Sequence, residues 1–89
     1  MSKTIFDRDT LRALADEGNE LALDRLADLA EARNDVDELN ELLDEGCLRA
    51  GRLLTARAVK AGDLLELQRL WDADCEEAGA ALRQALSTR

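Results

Sequence analysis

The chain has 89 residues, 46% hydrophobic and 36% charged, with a net charge of −8, no histidine, no proline, two cysteines, one Phe and one Trp. That length gives one small domain, and that apolar fraction is too high for a disordered chain. The acidic balance argues against nucleic acid as a partner, because phosphate neutralisation needs a concentrated basic surface.

Leu and Ala supply most of the apolar content. Both are strong helix formers, and without proline nothing breaks a helix, so an all-α domain is expected. The opening stretch MSKTIFDRDT holds no apolar run long enough for a signal peptide or a membrane span, which predicts a soluble, cytoplasmic protein with no membrane partner. A first helix is expected from Asp7, with Phe6 and Leu11 placed as a hydrophobic staple, and it ends at Gly18. A second runs through about residues 20–32 and stops at Asn34. The third opens at Asp35, where Glu38 three residues on completes the spacing of a capping box, and ends at Gly46. The fourth covers about residues 48–60 and stops at Gly62. Asp63 with Glu66 opens the fifth in the same way. Asp74 stands where the earlier units have glycine, and with Glu77 it can cap the sixth helix, residues 75–86.

This order contains a period. Offset by 28, residues 3–30, 31–58 and 59–86 align without a gap. The shared columns are Asp7, Asp35 and Asp63; Leu11, Leu39 and Leu67; Leu14, Leu42 and Leu70; Asp16, Asp44 and Asp72; Ala22, Ala50 and Ala78; and Leu26, Leu54 and Leu82. A fixed period of this size marks a repeat architecture whose units cannot bury their apolar stripes alone. Stripes such as Ala22, Leu26 and Ala30, small and large residues four apart, let helices approach closely and interdigitate. The expectation is a right-handed α/α-solenoid of three helix-turn-helix repeats, six helices in one domain.

The phrases LRALADEGNELALDRLADLA and LNELLDEG carry the pattern D-x-x-x-L-x-x-L-x-D-E-G-x-x-x-A-x-x-x-L-x-x-x-A. It resembles short tetratricopeptide-like or Sel1-like helical repeats, of a kind abundant in actinobacterial proteins. The resemblance covers residues 3–86 and implies a scaffold for protein–protein contact.

Chemistry is hard to assemble from these residues. Without histidine there is no imidazole base and no His-based zinc site, and two cysteines in separate repeats cannot make a four-thiolate site. The cluster Asp35, Asp37 and Glu38 does not follow calcium-loop spacing, and no glycine-rich phosphate loop is present. No catalytic, metal or cofactor residues are therefore expected. Cys47 and Cys75 share a column with Asn19. Equivalent atoms of stacked helices lie roughly 8–10 Å apart, beyond the Cα separation of about 7 Å that a disulfide tolerates. Both thiols fall near a helix N-terminus, which can lower a thiol pKa.

Interaction surfaces are the better candidates. Arg49, Arg52, Arg57 and Lys60 share one side of the fourth helix, with no acid between Glu45 and Asp63. Residues 1–44 carry 13 acids and 5 bases, whereas residues 45–89 carry seven of each, so this basic side could meet the acidic half of a second copy. Trp71 shares a column with Ala15 and Leu43, three very different volumes. Either the pocket widens at the third unit, or the indole reaches the surface and fills a partner. The last helix puts Ala78, Ala81, Leu82, Ala85 and Leu86 on one broad face where a solenoid end calls for a polar cap. A homo-oligomer, most simply a two-fold dimer built on Trp71 and this face, is the expected assembly. An adaptor for a protein or peptide partner is the alternative.

Overall fold

A computed structural model of the chain describes residues 8–87; the Asp7 cap and the Phe6–Leu11 staple lie outside the described residues. Six α-helices follow one another: α1 (Arg8–Asp16), α2 (Glu20–Ala32), α3 (Val36–Asp44), α4 (Leu48–Ala61), α5 (Leu64–Asp72) and α6 (Glu76–Ser87). Among the described residues there is no strand.

All five turns between them use one device. A residue with positive φ ends each helix: Gly18 (95°), Asn34 (59°), Gly46 (95°), Gly62 (67°) and Asp74 (71°). The next residue donates its N–H five residues back, the long bond of a Schellman cap. These bonds are Asn19 to Leu14, Asp35 to Ala30, Cys47 to Leu42, Asp63 to Ala58 and Cys75 to Leu70, at 2.8–3.1 Å. That same residue precedes the next helix, and four of the five also cap it. Asn19, Asp35, Cys47 and Asp63 accept from the backbone N–H three residues on with a side-chain atom. One residue thus finishes one helix and starts another, so the connections are only two or three residues long.

Two local expectations are corrected by this geometry. The capping boxes are only half made. Asp35 and Asp63 accept from Glu38 and Glu66, but their own N–H groups already donate to Ala30 and Ala58, so the glutamates have no donor to reach back for. Glu38 instead takes Arg8 at 2.6 Å and Arg33 at 2.9 Å, and Glu66 takes Arg69 at 2.6 Å. Asp74 does not act as the cap of α6. It adopts the left-handed conformation of the glycine it replaces, because the Schellman bond from Cys75 requires that turn. That conformation is strained for an L-residue and free for glycine.

Packing follows from the order of the helices. Neighbours in sequence pack on each other throughout, and α2, α4 and α6 pack on one another in series. The first helices α1, α3 and α5 lie outside that row. Thus α3 rests on both α2 and α4, and α5 on both α4 and α6, while α1 packs its backbone on α2 and reaches α3 through the Arg8–Glu38 ion pair. The result spans 52 × 24 × 16 Å. The core runs along its length and consists of leucine and alanine: Leu26, Leu39, Leu42, Leu67 and Leu70 are fully buried, with Ala27, Ala30, Ala50 and Ala78 between them. Small residues at these crossings let backbones come close enough for the leucines to fill the remaining space.

Burial largely repeats at an offset of 28, and it departs at the ends. Leu11, Leu39 and Leu67 are all buried, as are Ala22, Ala50 and Ala78, and Leu26, Leu54 and Leu82. Leu42 and Leu70 are buried too, but Leu14 remains 41% exposed, because no helix among the described residues precedes α1 to cover it. At the other end Ala30 and Ala58 are buried, whereas Leu86, in the same column, is 63% exposed.

Candidate interaction surface

The C-terminal end is built around glycine. A β-carbon on Gly79 would fall 2.6 Å from Nε1 and 2.7 Å from Cε2 of Trp71, so the indole of α5 lies flat against the backbone of α6. Arg83, one turn further along α6, sets its guanidinium 5.6 Å from the centre of the indole ring. A cation over an indole face is attracted by the ring quadrupole. The indole is left 40% exposed. Of the two expectations for Trp71, a pocket that widens or an indole that reaches the surface to fill a partner, the structure shows room made at Gly79 and an indole partly at the surface.

The size problem in its column is solved inside each helix pair. Ala15 is accompanied eight residues later by Leu23, Leu43 by Gly51, and Trp71 by Gly79. As the first residue grows, the second shrinks to nothing. Around Gly51 a β-carbon would meet Cys75 Sγ at 3.1 Å and Leu43 Cδ1 at 3.3 Å. The atoms nearest Gly51 thus come from two groups, one of them in the following helix pair, while the nearest to Gly79 all belong to the indole.

The remaining residues of the expected face divide. Ala78 and Leu82 are buried in the core of the chain itself; Ala81 is half-buried against it. Ala85 and Leu86 are exposed in the last turns of α6. The apolar surface open at this end is thus Trp71, Ala85 and Leu86, about half of what spacing alone suggested.

The arginine side of α4 is engaged within the chain. Arg49 pairs with Asp28 of α2, and Arg57 pairs with Glu31 of α2 at 2.8 Å while donating to Asn34. Arg52 turns the other way, to Glu77 of α6 at 3.0 Å. Hence α4 acts as a basic middle row between two acidic neighbours. Each pair is partly exposed and adds little to stability, but the alternation of sign makes α4 complementary to both α2 and α6. Sequence reading found the arginines and missed their partners; the signal was the acidic row Asp24, Asp28 and Glu31 on α2.

Both cysteines are free and buried. Cys47 caps α4 with its sulfur, accepting from the Ala50 N–H at 3.4 Å, and its thiol donates to the Leu23 carbonyl at 3.6 Å. Cys75 Sγ lies 3.3 Å from Thr55 Oγ1. Both sulfurs sit where one helix pair meets the next. Asn19 fills the same cap for α2, but its helix pair has no described pair before it and the side chain is exposed, so an amide in water suffices there. A dry junction wants the smaller, less polar thiol. Burial pushes the Cys47 thiol up, and Asp24 adds to the shift; the bond from the Ala50 N–H opposes it without prevailing. A helix N-terminus therefore does not produce a reactive thiolate here.

Among the described residues no group of three or more Cys, Asp or Glu is placed to hold a metal ion, and no helix is long and apolar enough to cross a membrane. Compared with protein-family models, with curated proteins and with solved structures, the chain matches none of them.

Proposed function

We propose that this protein is a non-enzymatic interaction scaffold: a right-handed α/α-solenoid of three helix-turn-helix repeats, residues 3–30, 31–58 and 59–86, that chiefly contacts a second copy of itself. The recurrence of turn geometry supports the repeat. Asn19 and Cys47 have nearly equal backbone angles (φ −80°, ψ 106° and φ −79°, ψ 105°), as do Asp35 and Asp63 (φ −91°, ψ 82° and φ −92°, ψ 89°). The tetratricopeptide-like or Sel1-like kinship and a cytoplasmic setting belong to the same proposal. The observation that carries self-association is the end of α6. In the column of Ala30 and Ala58, both buried, Leu86 stands 63% exposed on the helix whose Gly79 carries the half-exposed Trp71. Two such ends meeting across a two-fold axis would cover three apolar side chains per copy, an isologous contact that closes on itself.

Sedimentation velocity from low micromolar to high micromolar concentration tests this. A dimer that Leu86→Glu returns to monomer supports it, whereas a wild type that stays monomeric throughout refutes it. A second reading, an adaptor for a peptide, is favoured by an open groove of about 700 Å³ between the second and third helix pairs, bordered by Leu43, Gly51, Arg52, Cys75 and Glu77. Capture of one discrete partner from a cell lysate that Arg52→Glu abolishes would favour the adaptor.

A further inference from the structure

The chain contains the same junction twice, and among the described residues the first and the last helix pair each expose one half of it. Where the second helix pair follows the first, Cys47 seats its sulfur against the Leu23 carbonyl of α2. Where the third follows the second, Cys75 seats its sulfur over Gly51 and against Thr55 of α4. Position 28 residues on from Gly51 is Gly79, and from Thr55 is Arg83. A fourth pair, or the first pair of another copy, would bring its own cap residue to this spot; in this chain that residue is Asn19. The N-terminal end has the matching half ready. Leu14 is 41% exposed where Leu42 and Leu70 are buried, and Leu21 is 78% exposed where Arg49 and Glu77 reach back to the preceding helix pair.

The spot on α6 is already taken. Over Gly51 the closest atoms come from a leucine and the next pair's cysteine; over Gly79 the three closest all belong to the indole, with Arg83 lying on the ring. Asn19 of an incoming copy would have to occupy the volume of the indole, and docking would also bury a guanidinium where α4 has a threonine and α2 an alanine. Burying an unpaired charge is strongly unfavourable. The geometry points to Trp71, seconded by Arg83, as an end-stop: it seals the C-terminal end against in-register, head-to-tail addition of a second copy and leaves only closed association open to the protein. Head-to-tail contacts of this kind do not close and grow into filaments, and a stop at this position prevents that growth. This deepens the scaffold reading and rests on its repeat architecture.

The test restores the residues of the middle repeat. Trp71→Leu/Arg83→Thr gives α5 and α6 the Leu43 and Thr55 of the preceding junction; circular dichroism checks that the variant keeps its helix content, and Trp71→Leu alone replaces it if it does not. Sedimentation velocity of the full chain is then followed with concentration. The wild type should reach a plateau at monomer or dimer, while the variant should keep growing without one. Adding Leu14→Asp to the variant should abolish the growth by spoiling the opposite end. Excess wild type should shorten the variant's chains, because it can add by its N-terminal face but offers no open end. A folded variant whose mass plateaus with the wild type's overturns the end-stop, and so does a wild type that grows without limit. A monomeric wild type refutes self-association as the protein's function, yet a variant that grows would still uphold the stop.

Discussion

Leu14 and Leu42 are the same residue at the same place in the 28-residue period and differ only in what lies beside them. Replacing each by alanine therefore separates inter-pair packing from helix propensity. Three carbons are lost in both cases, about 2.4 kcal/mol of transfer free energy at ~0.8 kcal/mol per methylene. Leu42 is fully buried between α2, α3 and α4, so a cavity term adds to this and Leu42→Ala should cost about 3–5 kcal/mol. Leu14 keeps 41% of its surface in water, so roughly 60% of the transfer term, about 1.4 kcal/mol, is at stake, and an open site leaves no cavity. A domain of this size has on the order of 4–13 kcal/mol in all, so Leu42→Ala removes a large share of it. Urea unfolding followed by circular dichroism at 222 nm is the assay. A difference of about 2 kcal/mol between the two variants is expected from these terms. Equal losses would mean that each helix pair holds its own leucine without help from the next, and that stacking between pairs contributes nothing at this column.

Other outcomes follow from single residues. Asp74→Gly should raise stability by about 1 kcal/mol, read as a higher urea midpoint at unchanged slope, because the position already has φ 71°. Gly79→Ala should push the indole of Trp71 off α6 and shift its fluorescence to the red; in a Trp71→Ala background the same change should instead add about 1 kcal/mol of helix propensity. Cys47 should react slowly with iodoacetamide at neutral pH in the folded protein and quickly in urea. Its folded pKa is raised, so its contribution to stability is present below the ordinary thiol pKa and is lost as pH climbs through the folded value. On the acid side, a backbone N–H from Glu38 and then Arg33 hold Asp35 below the usual carboxylate range, and Arg69 does the same for Glu66. Their contributions are present above the unfolded carboxylate pKa values of about 4 and are lost as pH falls through the lower folded values, so melting temperature should drop steeply only below that point, and less steeply in Asp35→Asn.

Helices and their stopping points were legible in the order of residues alone. Leu and Ala at spacings of three and four define the buried stripes, and Gly18, Gly46 and Gly62 mark turns that a left-handed residue completes; those are local matters of propensity and backbone sterics. The 28-residue period was equally legible, because a repeated neighbourhood selects a repeated residue. Which members of a column are buried was not legible, and it took the packed helices to show it. Leu14 and Leu86 carry the same pattern as Leu42 and Ala58 but stand at the ends, where no described helix lies beyond them. Packing likewise settled partners more than twenty residues apart, such as Arg49 with Asp28, and left Gly79 beneath the indole of Trp71 with no counterpart of Cys75 above it. Charge and size can be read in one dimension, but what they are complementary to depends on which helices come to lie side by side.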